Sequence, residues 1–178
     1  MTARTTLYTP AVLAAATGLA AWPWNDTHPH VGQARSRTCG STLTMGLALN
    51  ADGTISAIGI RAHACAIGQA SANAFATGAI GQTHAQIATA RTHLGAWLAG
   101  ESDLDPLLPQ WPGLADIAHA RAITTRHGAI ALAWDAALDA LEAPPTNPVI
   151  PADAGTQTGR QTPTSRLDAQ PGFPRPRE

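Results

Sequence analysis

Leu43-Thr44-Met45-Gly46-Leu47-Ala48-Leu49-Asn50-Ala51-Asp52-Gly53-Thr54-Ile55-Ser56-Ala57-Ile58-Gly59-Ile60-Arg61-Ala62-His63 is the stretch on which the fold turns. Leu43, Met45, Leu47 and Leu49 alternate with Thr44, Gly46 and Ala48, a period of two that fits a half-buried strand. Asn50-Ala51-Asp52-Gly53 is turn chemistry. The return strand places Ile58, Ile60 and Ala62 on one face and Ile55, Ala57, Gly59, Arg61 and His63 on the other. One antiparallel hairpin is therefore predicted over about 42–64. The pattern then changes at Cys65 to Ile67, Ala70, Ala74 and Gly78, a helix face of small residues.

The flanks are helical. Thr9-Pro10 is a helix start, with an N-cap hydroxyl and proline at the first helical position, and Val12, Leu13, Ala16 and Leu19 follow in register. Arg4 followed by Ala11–Ala21 has the outline of a leader peptide, but Pro10, Thr17 and Gly18 interrupt it and favour an amphipathic helix. A polar loop is expected from Trp22-Pro23-Trp24 to Cys39. Thr83 and Gln86 form a capping box for a helix carrying Ile87, Ala90, Leu94, Trp97 and Leu98. A proline-containing loop leads to a short helix around Leu114 and Ile117, and a last helix from about Ala129 carries Ile130, Trp134, Leu138 and Leu141. The elements describe an α+β domain over 1–143. Residues 144–178 hold eight of the 14 prolines and few large apolar groups, so a disordered tail is predicted.

Composition removes several function classes. A net charge of −1 offers no basic stripe for nucleic acid. All 11 basic residues are arginine, which excludes Schiff-base lysines and the P-loop lysine. Glu101, Glu142 and Glu178 are the only glutamates, so no His-Glu-x-x-His zinc helix can be written. No stretch reaches the roughly 18–20 apolar residues of a membrane span. Two cysteines build no disulfide framework, and free thiols fit a reducing cytoplasm.

Those two cysteines, Cys39 and Cys65, flank the hairpin, which brings its strand ends towards each other. Cys65 stands at a helix N-terminus, where the dipole and unpaired backbone donors favour thiolate, and it reads as the more activated of the two. His63, two residues back, shares its face if the strand geometry persists. Two thiolates with one or two imidazoles suit a soft or borderline metal, while the plainer reading makes both cysteines small core residues. His28, His30, His84, His93 and His119 read as solvent-facing.

Three words in order tip the balance. Thr38-Cys39-Gly40-Ser41, Cys65-Ala66-Ile67-Gly68-Gln69-Ala70-Ser71-Ala72 and Arg126 to Trp134 resemble the U-type iron–sulfur cluster assembly scaffolds, the IscU, SufU and NifU N-terminal domain family. The resemblance runs from Leu7-Tyr8 to about Leu141. It implies an IscU/SufU-like fold, with a small antiparallel sheet packed against several helices. It also implies a carrier and not an enzyme, working with a cysteine desulfurase or other iron–sulfur assembly proteins.

The family holds its metal or cluster through three cysteines and an aspartate. Carried over, the first two cysteines are Cys39 and Cys65, the aspartate position is Ser41, and the third cysteine falls on Ala129, or on Gly128 if the register shifts to use His127. The implied ligands are Cys39, Cys65, His127 and His63, and the implied cargo is an iron–sulfur cluster, iron or zinc. Ala122-Ile123-Thr124-Thr125-Arg126 stands where the family carries a chaperone-docking Leu-Pro-Pro-Val-Lys. Two alternatives remain: a degenerate scaffold relative acting as an interaction or regulatory module, and a cysteine-dependent sulfurtransferase or hydrolase using Cys65 with His127 or His63.

Overall fold

The computed structural model describes residues 7–146. Three antiparallel strands, β1 (His30–Arg35), β2 (Thr42–Leu49) and β3 (Ile55–His63), form one sheet in the order β1-β2-β3. Five α-helices surround it: α1 (Pro10–Gly18), α2 (Ala66–Ala79), α3 (His84–Ala99), α4 (Leu114–Ile117) and α5 (His127–Glu142). The α+β architecture expected from the sequence is the one observed. The predicted tail lies, from residue 147 on, outside the described residues; within them, Thr146 donates its backbone N–H to the Pro29 carbonyl at 2.7 Å.

Leu43, Met45 and Leu47 are buried, and across the ladder they face Ala62, Ile60 and Ile58. Burying a side chain of this size stabilises by about 1.5–3 kcal/mol, so a row of them sets the strand register firmly. The turn closes through Asn50 N–H to Thr54 O and Gly53 N–H to Asn50 O, with Gly53 at φ 80°. Asp52 Oδ1 accepts from both the backbone N–H and the hydroxyl of Thr54, and these bonds hold its carboxyl below the usual carboxylate range. Ile55 departs from the predicted alternation. A bulge between Ala48 and Leu49 pairs Leu49 with Ile55, which resets the parity and puts Ile55 in the core.

β1 is a correction, because this stretch reads as loop. His-Val-Gly-Gln-Ala-Arg carries one large apolar residue and so no signal of its own. It is a strand because β2 supplies the ladder and α5 lies against Gly32, where a Cβ would fall 2.7 Å from the Ala140 Cα. Asp139 on α5 also accepts the Gln33 backbone N–H at 2.8 Å. β1 is thus made by its neighbours.

The helix starts read from the sequence are present. Thr9 caps α1, and Thr83 with Gln86 forms the capping box of α3, which ends at Gly100 with φ 88°. α2 is buried on most sides: Ile67, Ala70, Ala74 and Phe75 all lie in the core, and Gly78 admits Trp111. Trp134 on α5 stands edge-on to Phe75 and Trp111, at ring-centroid distances of 5.0 and 6.1 Å. α2 and α5 therefore meet through small residues with an aromatic cluster beside them, and that contact brings the start of α5 to the start of α2.

His28 also departs from the solvent-facing reading: it is buried on the sheet's outer face. Gly46 and Gly59, paired across β2 and β3, leave the slot its ring fills, and Nδ1 hydrogen-bonds the Asn25 carbonyl at 2.8 Å. His30 and His119 are part-buried, and His119 Nε2 hydrogen-bonds the Leu7 carbonyl. His84 and His93 are exposed on α3, as expected.

Candidate functional site

Cys39 sits in a tight loop between β1 and β2. Ser36 N–H donates to Ser41 O at 2.8 Å, and Gly40 N–H donates to Ser36 O at 3.0 Å. Gly40 takes φ 71°, a conformation that favours glycine, and this turns the loop back on itself. The turn places the Cys39 thiol between two buried hydroxyls, 3.2 Å from Ser36 Oγ and 3.1 Å from Ser41 Oγ.

Partial burial works to raise the Cys39 pKa. The hydroxyls of Ser36 and Ser41, a backbone bond at Ser41 and the nearby Arg126 charge outweigh it, and the net shift is downward. Cys39 is thereby poised towards thiolate. The sequence reading put the greater activation on Cys65. In the structure Cys65 is the N-cap of α2, in extended conformation and without a side-chain capping bond, while Cys39 has the hydroxyl cradle. Ser36 carries no family motif, and it is seen only once the loop is folded.

Both cysteines line one open cavity of about 370 Å³, together with Ser41, His63, Gln69 and Arg126. Ladder register explains the meeting: Thr42 pairs with His63, so the residues just before β2 and just after β3 come to the same end of the sheet. Gln69 reaches back from α2 to the Ala64 carbonyl at 2.9 Å and fixes the wall between Cys65 and the strand.

His127 is placed differently. Its Nε2 hydrogen-bonds the Arg121 carbonyl at 2.7 Å, and the residue is not among those lining the cavity. The side chain at the mouth from this segment is Arg126. Its Nε is buried without a hydrogen-bond partner. Among the described residues no three His, Cys, Asp or Glu side chains gather closely enough to hold a metal ion.

Ala129 and Gly128 can be told apart. Ala129 is fully buried, and its Cβ lies near Gly68, beside Ala64 on the cavity wall. A side chain at Gly128 would instead run into Ser36 Oγ, 2.5 Å from an ideal Cβ. Ala129 thus packs behind the cavity wall, and Gly128 packs against the Cys39 loop.

No family model matches the chain, and no curated protein matches it. Solved structures do. The N-terminal part of a nitrogen-fixing NifU-like protein from Brucella abortus superposes with a TM-score of 0.65 and 25% identity, covering 76% of this chain and 92% of that one. A proposed SUF-system iron–sulfur cluster assembly scaffold protein from Fervidobacterium islandicum AW-1 gives 0.67 at 18% identity, covering 76% and 97%. A hypothetical protein gives 0.62 at 18%, covering 74% and 97%. The chain has the fold of these NifU-like and SufU scaffold structures. It differs from the family pattern described above in having two cysteines where that pattern has three. No described helix is long and apolar enough to cross a membrane.

Proposed function

We propose that this protein is an iron–sulfur cluster assembly scaffold-like carrier, with Cys39 and Cys65 holding iron or a nascent cluster as cargo. The observation that carries the reading is the meeting of the chain's only two thiols in one open cavity, on a fold shared with a protein named for this role. A carrier needs accessible sulfur ligands and no bond-making machinery, and its partners are a cysteine desulfurase or other assembly proteins.

The donor set fits that cargo in part. Thiolate character at Cys39 suits iron, and a guanidinium in the cavity wall favours a negatively charged thiolate–sulfide assembly over a bare divalent ion. His63 is exposed at the rim and is the nearest imidazole candidate, with His127 a ligand only if its bond to Arg121 is given up. The arrangement offers zinc no four-donor cage. The same scarcity of donors favours the second reading, a relative that keeps the fold and acts as an interaction or regulatory module.

Anaerobic incubation of the full chain with ferrous iron and sulfide, followed by iron and acid-labile sulfide analysis, separates the two. The carrier reading expects both elements on the protein, with Cys39→Ser and Cys65→Ser each losing most of them. Equal and negligible uptake by all three proteins overturns it in favour of the interaction module.

A further inference from the structure

The cavity that holds the two thiols also contains a cation, whose charge favours the Cys39 thiolate. Arg126 lines it, and neither an aspartate nor a glutamate does. Among the described residues Arg126 forms no salt bridge, and its Nε is buried with no hydrogen-bond partner. A buried donor on a charged group is costly to leave unpaired, so a guanidinium held this way favours an anionic partner. Its planar fork matches a carboxylate in particular.

A second observation concerns space. The expected third-thiol position, Ala129, packs with Gly68 behind the cavity wall, and the cavity itself, which Ala64 lines, is about 370 Å³. That lies within the range of about 300–1,000 Å³ typical of small-ligand pockets. The cavity therefore combines two anchored thiols, no third, room for a small molecule and a carboxylate receptor.

We propose that this pocket takes a small thiol bearing a carboxylate, with Arg126 gripping the carboxylate and the ligand's sulfur supplying the thiolate that Ala129 does not. The thiol releases its proton to solvent as it joins Cys39 and Cys65 around the cargo, and no electrons are exchanged. The ligand-supplied thiolate rests on the carrier reading above; carboxylate capture by Arg126 does not.

Cysteine and cysteamine differ by the carboxylate alone and make the test. In the unloaded, reduced full chain, titration with cysteine should shift the Arg126 Nε–H resonance. Arg126→Gln in the protein, or cysteamine as the ligand, should weaken binding by tenfold or more, the scale of a lost charge-assisted hydrogen bond. Anaerobic loading with iron and sulfide should then be higher with cysteine than with cysteamine or serine. Ala129→Cys should remove that dependence by providing the third sulfur internally.

If cysteine leaves Arg126 unshifted and binds Arg126→Gln equally well, the proposal is overturned. It is also overturned if loading needs Cys39 and Cys65 but is the same with cysteine and cysteamine, a result that leaves the carrier reading standing. Cysteine capture through Arg126 with no iron or sulfide uptake under any thiol keeps the carboxylate receptor and overturns both the carrier reading and the third-ligand role.

Discussion

Cys39 shows how a side chain acquires chemistry from its loop. Two hydroxyls and a nearby guanidinium favour its charged form against the opposing effect of burial, so its folded-state pKa lies below that of an ordinary thiol. The sign follows: as pH falls, Cys39 should remain thiolate, and remain alkylatable, to a lower pH than a free thiol. Iodoacetamide rates against pH in the Cys65→Ser chain measure this, and Ser41→Ala should move the profile upward. An unchanged profile would mean that the hydroxyls do not tune the sulfur. The missing ligand is also decided at this scale. Ala129→Cys supplies the third thiol at the position the family pattern gives it and should raise iron uptake, whereas Gly128→Cys meets Ser36 Oγ and should cost about 1–3 kcal/mol without that gain. Metal analysis paired with thermal melts tells the two variants apart.

At the scale of elements, the parts with strong local signals were legible in advance. The β2–β3 hairpin has alternation on both sides of a turn, and α1 and α3 have capping chemistry, so each is specified within a few residues. β1 is the opposite case. Its backbone is ordered by β2 on one side and by α5 approaching Gly32, so its stability lies in contacts with residues far along the chain. Gly32→Ala should therefore act like an overpacked core substitution, because its Cβ has backbone atoms of α5 where free space would be needed. A loss of about 1–3 kcal/mol, read as a lowered urea midpoint, is expected. A midpoint within about 0.5 kcal/mol of the parent would show that α5 moves aside freely.

For the whole molecule, the core is closed by α2, α5 and the sheet, and the last described tertiary contact is Thr146 with Pro29. Removing residues 147–178 should leave the melting temperature and any iron uptake as they are, whereas a clear fall in either would place part of the fold beyond Thr146. By itself the sequence determined the α+β class, the hairpin, the capped helices and the placing of Cys39 and Cys65 at one end of the sheet. All of these are written in short-range periodicity and turn chemistry, which act between neighbours. Tertiary structure alone decided that β1 is a strand, that His28 fills a two-glycine slot, that Ser36 and Ser41 hold Cys39, and that Arg126 rather than His127 faces the thiols. Each of those depends on a partner distant in sequence or on which way one turn of chain rotates, and no local pattern carries that information.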